Sequence, residues 1–445
     1  MRSGLSSRPW TCLAIATRFG LSSLRQAGQR GNDGIRPSIL RSRAIVLIGE
    51  SAPLVRRHRR RLSHSQWGAL RHVNSRPVSR FQHPTSNFPP PTRALYFPLV
   101  GVTPVTTTVG ILNVTGYAGS ELARLLHGHP DVRLAAVTGR SAAGKRLPDV
   151  FPHLWALDLP ITESLEGVDV VFSALPHAAA AEQLVPYIEA GTPVIDLSAD
   201  FRLKRVDEYE SFYKVTHPAP HLLPSAVFGL PELHRDDIAA TKLTAVPGCH
   251  STGVILALAP AFAAGLIEPD VVADTKTGLS GAGRTLGLNV HFSEADENVA
   301  PYGLDGHRHL PEMTQELGTL AEAPAPAVTF VPHYIPMTRG ILSTCYGRLR
   351  DGVRIDRDGL KRAYRDFYRD APFVHVSDAP PSTKHVAGTN YCVVHPSIDR
   401  RTGTVVVSSA IDNLGKGAAG AAVQCLNIML GLPETAGLQS LALFP

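Results

Sequence analysis

The sequence predicts an α/β protein in which a doubly wound parallel sheet is followed by an α+β domain. Three observations lead there. Between residues 107 and 198, short apolar runs of strand length alternate with helical patterns. Those runs are apolar at consecutive positions, as strands buried on both faces are. After Cys249 the apolar runs lengthen and several are joined by hairpin-like turns, which marks a second, mostly antiparallel sheet.

Thr107–Leu112 reads as the first strand and runs into NVTGYAGSELARLLHGHP, a glycine-bearing turn and then an amphipathic helix. VRLAAVTG (132–139) is the second strand. VDVVFSALP (168–176) and PVIDLS (193–198) follow, with the helical HAAAAEQLVPYIEAG between them. In the second domain VVADTKTG, AVTFVPHYIP, ILSTCYGRLR and GTVVVSSAID read as strands, the last reached through the turn Asp399–Gly403. APAP at 323–326 is a loop, and there is no internal repeat. A small-residue helix over roughly 415–430 is placed to pack back on the first domain. The expected limits are 106–248 for the first domain, 249–409 for the second and 410–445 for the returning segment.

A chain of 445 residues is long enough for two or three cored domains. Its formal charge of +6 is unevenly placed. Residues 1–105 hold 17 arginines, no lysine, and only Asp33 and Glu50 as acids. Of the 44 basic and 38 acidic side chains, 27 and 36 therefore belong to residues 106–445, a net charge of −9. No polyanion partner is implied for the body, which sets nucleic acid aside. The uncharged stretch Gly253–Ile267 is too short to span a bilayer and reads as a core helix. Five cysteines, at 12, 249, 345, 392 and 425, show no CxxC and no metal spacing, which suits a reducing compartment such as the cytoplasm.

The leader is rich in Arg, Ser and Pro and poor in acid. Two readings compete. An organellar transit segment has this composition and would bring import into an organelle. Upstream DNA translated from a start placed too early is the preferred reading. Met1 is the only methionine before Met313, so a start near residue 105 would use a valine codon, such as that of Val102 or Val105. Either way the leader stays outside the fold.

Asn113, Gly116 and Gly119 are spaced three apart between the first strand and the first helix. A helix N-terminus offers unpaired N–H groups and the positive end of a dipole, and small residues let a phosphate approach. In this position the spacing reads as a dinucleotide phosphate turn, with an ordinary glycine-rich turn as the alternative. At the end of the second strand, TGRSAAGK carries no acid to hold a ribose 2′-hydroxyl. Arg140, Ser141 and Lys145 stand there instead, which favours a 2′-phosphate and hence NADP over NAD.

AVPGCHSTGVILALAP (245–260) puts Cys249 after Pro247–Gly248 and at the head of a helix. A helix N-terminus lowers a thiol's pKa, which predicts a nucleophile; on position alone a buried core thiol fits equally. Cys345, Cys392 and Cys425 lie within strand or helix patterns and read as core. His177, His250, His307 and His309 are the candidate bases. If GHRHLPE is extended, His307 and His309 share one side and Arg308 takes the other. His250 follows Cys249 within the helix, where neighbours point apart.

TGYAGSELARLL, FPHL, VFSALPH, VIDLSADFRL, FGLPEL, PGC, SGAGR, GHRHLPE, PMTRGIL and AIDNLGKGAAGAAVQ occur here in this order. Together they closely resemble the N-acetyl-gamma-glutamyl-phosphate reductases of arginine biosynthesis. The resemblance covers about residues 107–440 and none of the leader. It implies a Rossmann-type NADP-binding domain and a catalytic and dimerisation domain of the semialdehyde-dehydrogenase type. It also implies a homo-oligomer, dimer or tetramer, acting on a small acyl phosphate and not on a membrane. The implied reaction reduces N-acetyl-L-glutamyl 5-phosphate to the semialdehyde through a cysteine thioester. A thiolate can attack the acyl carbon and expel phosphate, leaving a thioester that accepts hydride.

On this resemblance Cys249 is the nucleophile and His307 the general acid/base. His307 would take the thiol proton and later protonate the aldehyde oxygen as the tetrahedral adduct collapses. His309 is its substitute, and backbone N–H groups at the head of the helix would hold the oxyanion. For the cofactor it implies Asn113, Thr115, Gly116, Tyr117 and Gly119 at the turn, Arg140 and Ser141 at the ribose, and Pro176, Ser198 and Asn413 further along. For the substrate's carboxylate and phosphate it implies Arg202, Arg284 and Arg308, whose forks suit both groups, with Ser280, Gly281 and His309. Two departures stand out. The turn usually opens with glycine, and here Asn113 stands there; asparagine tolerates the left-handed backbone, so the turn is expected to be kept. The cysteine is usually followed by an aromatic residue and a proline, and here His250 and Ser251 follow it. Two other functions share these features: reduction of a carrier-protein-bound glutamyl or aminoadipyl phosphate, and NADP sensing without catalysis. The negative body speaks against an acidic carrier, and the presence of both Cys249 and His307 against a sensor.

Overall fold

The computed structural model describes residues 106–321 and 324–445; the arginine-rich leader, and with it both readings of its origin, lies outside the described residues. The first sheet has seven parallel strands: β1 (Thr107–Leu112), β2 (Val132–Thr138), β3 (Ile161–Thr162), β4 (Val170–Ser173), β5 (Val194–Asp196), β6 (Val227–Phe228) and β7 (Leu243–Ala245). Their order is β3-β2-β1-β4-β5-β7-β6, so the strand order reverses beside β1. In such sheets ligands bind at the carboxyl ends of the strands, at that reversal. Both faces are covered. Val109, Ile111, Val170 and Phe172 enter one core, and Leu112, Val171 and Val194 enter the core on the other face. That double burial is why these strands are apolar at consecutive positions. The strands expected at 107–112, 132–139, 168–176 and 193–198 are β1, β2, β4 and β5.

The helices are α1 (Tyr117–His127), α2 (Leu147–Val150), α3 (Ala180–Glu189), α4 (Val206–Tyr213), α5 (Pro231–Ala240), α6 (Cys249–Ala263), α7 (Phe292–Ala295), α8 (Leu310–Leu320), α9 (Arg357–Phe367) and α10 (Gly420–Met429). Asp200 anchors the head of α3: its carboxylate accepts the amides of Ala178, Ala180 and Ala181. Such a carboxylate satisfies donors that a helix start leaves unpaired. Among the described residues no helix is long and apolar enough to cross a membrane.

The second sheet contains β8 (Ile267–Thr277), β9 (Ala300–Pro301), β10 (Ala327–Tyr334), β11 (Ile341–Leu349), β12 (Val374–Val376), β13 (Cys392–Asp399) and β14 (Thr404–Ile411), in the order β12-β13-β14-β11-β8-β10-β9. The central pairs β13·β14, β14·β11 and β11·β8 are antiparallel, while β10 runs parallel to β8 and β12 to β13. Asp399 pairs with Thr404 across the expected hairpin. Helix α6 lies against this sheet, and every residue from His250 to Phe262 is buried. An uncharged sequence is what a helix in that position requires.

The chain then returns. Gly415–Ala419 forms a π-helical turn that leads into α10. Ala419, Ala421, Ala422, Val423 and Leu426 join Ile111 and Leu122 in the first domain's core, so the returning helix packs where the sequence placed it. Lys416 sits in the π turn with no exposed surface, its Nζ donating to Glu232 Oε1 and Gln424 Oε1 at 2.7 Å each. Removing one member of a buried pair leaves an uncompensated charge, which costs about 3–5 kcal/mol. Lys416→Met is expected to lose that much stability in urea unfolding at neutral pH. Lys416→Met with Glu232→Leu should recover most of it. A single-variant loss below about 1 kcal/mol would show that the pair does not stabilise the return.

Candidate active site

The turn after β1 keeps its shape with asparagine. Asn113 adopts the left-handed region, φ 62°. Its Nδ2 donates to the Ala174 carbonyl at 2.8 Å, and its Oδ1 accepts from Thr115 Oγ1 at 3.1 Å. The side chain thus ties the ends of β1 and β4 together. Gly116 precedes α1 with no side-chain cap, and a Cβ built on it would meet nothing within 4 Å. The space before the first amides of α1 is therefore open to an anion. Gly119 answers a different demand: a Cβ there would lie 2.8 Å from the Asn113 carbonyl oxygen and the Val114 Cα. Arg140 and Ser141 open a single helical turn after β2, and both are exposed. The donor set and the open helix end fit a dinucleotide with a 2′-phosphate.

From this turn a cleft of about 770 Å³ runs to Cys249. Cys249 is the first residue of α6, and Gly248 precedes it with extended backbone. The π turn presses on it from behind, since a Cβ on Gly417 would lie 2.8 Å from Cys249 Cβ. Burial pushes the Cys249 thiol up to about 11, against the pull of the Arg202 guanidinium and the His250 amide. Burial thus opposes the lowering expected from the helix N-terminus. The helix end does act in the expected direction, but loss of water costs the thiolate more.

Three imidazoles crowd the wall. The rings of His307 and His309 are 4.7 Å apart, and His250 lies 5.5 Å from His307 and 5.7 Å from His309. Burial, followed by the Arg308 cation, pushes His307 down to about 4. Burial, followed by His307, pushes His250 to about 3, and His309 is driven well below the ordinary range by burial first. His307 Nδ1 accepts the backbone amide of His309 at 3.1 Å. In the neutral ring the proton of His307 therefore sits on Nε2. Both nitrogens of His250 are engaged, Nδ1 with Thr275 Oγ1 and Nε2 with Tyr302 Oη, each at 2.8 Å. That removes His250 from the candidate bases. His177 lines the cleft, its Nδ1 accepting the Ala199 amide at 3.0 Å.

Gly116, Tyr117, Gly119, Pro176 and Asn413, expected at the cofactor, line this cleft, as do Ser280, Gly281, Arg308 and His309, expected at the substrate. Two of the expected residues, Ser198 and Arg284, lie off the cleft, and two, Arg202 and Arg308, line it in settings the sequence did not show. Ser198 is fully buried away from the cleft, its hydroxyl donating to Asp196 Oδ2 at 2.5 Å. Arg284 reaches the nucleotide turn instead of the acyl pocket: it donates to the Thr115 carbonyl at 2.9 Å and lies over the Phe151 ring. Arg202 touches the cleft, but its guanidinium is bound on three sides, by Glu312 Oε1 at 2.9 Å and by the Val246 and Leu197 carbonyls at 2.7 Å each. Arg308 lines the cleft with His307 and His309, because 307–309 is a turn into α8 and not an extended segment. Three residues escaped the sequence reading. Glu312 accepts the Gly248 amide at 2.8 Å, Tyr302 lines the cleft beside His307, and Arg339 bridges Glu121 and Asp412. Glu312 does lie in GHRHLPE, so the motif contained its signal.

Residues 108–241 match the semialdehyde dehydrogenase NAD binding domain, and 249–413 the semialdehyde dehydrogenase dimerisation domain. An N-acetyl-gamma-glutamyl-phosphate reductase of Dehalococcoides mccartyi (strain CBDB1) is 55% identical over 337 residues, covering 76% of this chain and 98% of the relative. One from Pelotomaculum thermopropionicum is 47% identical over 346 residues, covering 76% and 99%. Among solved structures, aspartate semialdehyde dehydrogenase with NADP from Candida albicans aligns with a TM-score of 0.56 at 19% identity, over 73% of this chain and 98% of that one. Aspartate semialdehyde dehydrogenase II from Vibrio cholerae, complexed with ASA, gives 0.55 at 18% identity over the same shares. At those identities the two structures establish the shared fold.

The raised thiol pKa has a direct consequence. With neither cofactor nor substrate added, alkylation of Cys249 by iodoacetamide is expected to be slow at pH 7. It should rise about tenfold per pH unit toward pH 11, because only the thiolate reacts. Mass spectrometry of the Cys249 peptide measures the rate, and an apparent pKa below 8 would contradict the dominance of burial.

Proposed function

The chain belongs to the N-acetyl-gamma-glutamyl-phosphate reductase family, and on that premise we propose that it reduces N-acetyl-L-glutamyl 5-phosphate to N-acetyl-L-glutamate 5-semialdehyde with NADPH, releasing phosphate, in arginine biosynthesis. The observation that carries this reading is the single cleft that joins the open head of α1 to Cys249 at the head of α6. Matched dimerisation-domain residues support a homo-oligomer, and the reading keeps the cytoplasm as the site of action. It also keeps 106–248 as the cofactor domain, 249–409 as the catalytic domain and 410–445 as the return.

When bound, the dinucleotide supplies the hydride. The chain's residues do the rest. Cys249 Sγ attacks the acyl carbon and phosphate departs, leaving a thioester. Amides at the head of α6 face the oxygen that becomes negative. His307, neutral with its proton on Nε2, donates toward the departing phosphate, and it takes up the thiol proton by giving up the His309 amide at Nδ1. This places one donor step at the phosphate; when the reduced thioester later collapses to the aldehyde, the C–S bond breaks and Cys249 Sγ takes up a proton through His307, restoring the thiol. Arg308, exposed at the cleft, meets the substrate's anionic groups, and Arg140 and Ser141 meet the 2′-phosphate.

An NADPH-linked assay with N-acetylglutamyl phosphate, run beside a carrier-bound glutamyl phosphate, tests the reading. Turnover of the free substrate is expected; turnover of the carrier-bound substrate alone would replace it. Cys249→Ser should abolish turnover and leave NADPH binding intact, since a serine hydroxyl at neutral pH is a far poorer nucleophile. Retention of more than about a tenth of the activity would remove Cys249 from the role. For the cofactor, a charge-assisted contact contributes about 1.5–3 kcal/mol. Arg140→Ala should therefore lower kcat/KM with NADPH at least about tenfold and leave the NADH value nearly unchanged. Equal losses with the two cofactors would show that Arg140 does not read the 2′-phosphate.

A further inference from the structure

Both residues that replace the usual aromatic–proline pair after the cysteine grip the segment that carries the histidines. Ser251 is fully buried, and its hydroxyl donates to the His309 carbonyl at 3.3 Å. His250, also buried, forms the middle of a hydrogen-bonded chain, Thr275 Oγ1–His250–Tyr302 Oη, with 2.8 Å on each side. Thr275 lies on β8, an interior strand of the second sheet, and is fully buried, so one end of the chain is fixed. Tyr302, at the other end, lies in the segment between β9 and α8. Its ring stacks on Tyr334 at 4.0 Å and meets the edge of His307 at 5.5 Å. His250 itself contacts His307 edge-on. An aromatic hydrocarbon after Cys249 would fill this space but could not hold the Tyr302 hydroxyl.

We propose that His250 is a positioning residue: through its hydrogen bond to Tyr302 it fixes the phenol that packs on His307, and so sets the plane of the acid/base ring in the cleft. The physical reason is rigidity. At rest the His307 ring accepts a hydrogen bond from the His309 amide, and that bond leaves the ring free to tilt about its axis. Packing on a phenol whose hydroxyl is itself tied to the sheet removes the tilt, and catalytic groups must be held within a narrow range of angles. The histidine acts on the reaction only through Tyr302 and His307.

This inference rests on the reading that Cys249 and His307 carry the reaction, and its test is separate from the test of that reading. A double-mutant cycle on the purified full chain measures kcat/KM with NADPH and N-acetylglutamyl phosphate. His250→Phe is expected to lose about tenfold in the native background and less than about twofold when Tyr302→Phe is already present. Equal losses in both backgrounds would overturn the proposal, because a merely structural histidine would act whether or not the phenol hydroxyl exists. Two further variants keep the test decisive if His250→Phe unfolds. His250→Gln places its amide near the position of Nε2 and should restore most of the activity; His250→Asn mimics Nδ1, keeps only the Thr275 side and should not. The reverse order would overturn the proposal. Activity in Cys249→Ser, by contrast, would refute the underlying reading and leave the cycle without its premise.

Discussion

Glu312 lies between Arg202 of the first domain and the Gly248 amide at the head of the nucleophile's helix. All three groups are buried. An ion pair in that position contributes little net stability, but breaking it is costly, so its geometry is strongly held. The pair also satisfies the Gly248 amide, one of the donors that a helix start would leave unpaired. Position and charge pull in opposite directions here. The carboxylate that holds the helix end also raises the thiol's pKa, while Arg202 lowers it, and burial exceeds both. The head of α6, and Cys249 with it, is thus held in place by buried partners.

The imidazoles show the same preference for neutrality. His250, His307 and His309 lie within 5.7 Å of one another, and burial is the first cause of the depressed pKa of each. A positive charge on any one of them is opposed by its surroundings. On the proposed roles, a proton that moves from Cys249 to His307 creates two opposite charges in one cleft, and each favours the other. Separate ionisation of either group lacks that compensation. The acyl phosphate brings further negative charge, which favours the imidazolium, and Arg308 lines the same cleft.

Much of this was legible in the sequence, for reasons that differ by element. The strands β1, β2, β4 and β5 were visible because burial on both faces imposes consecutive apolar residues. β3 and β6 have two residues and β7 three, too few to carry a period, and their pairing depends on neighbours far along the chain. At the site, the Asn113 turn and the placing of Cys249, His307 and His309 on one cleft could be read, because turns and helix ends have local signatures. The errors arose where a motif names a residue but not what it touches. Ser198 has the right residue type, yet Asp196 beneath it takes its hydroxyl. Arg202 has the right charge, yet Glu312, 110 positions away in sequence, claims it. The side of the chain assigned to Arg308 was wrong because the proline of α8's first turn converts an extended segment into a helix start.

The returning segment explains why the two domains cannot be treated as separate machines. After β14 the chain leaves the second sheet through Asp412, whose carboxylate accepts the amides of Leu414, Gly415 and Gly388. Arg339 joins that carboxylate to Glu121 on α1, so the end of the second sheet is tied to the first domain's leading helix. A π turn widens the backbone at this point, and the extra residue brings Gly417 against Cys249 while Lys416 turns inward to Glu232 on α5. An ordinary helical turn would advance the chain sooner and shift one of these contacts out of reach. The cost of the wider turn is repaid by α10, whose small residues sit in the first domain's core. One segment thus completes the core beneath the nucleotide turn and forms the wall behind the nucleophile. The distance between the nucleotide turn and Cys249 is therefore set by packing and not by a flexible linker.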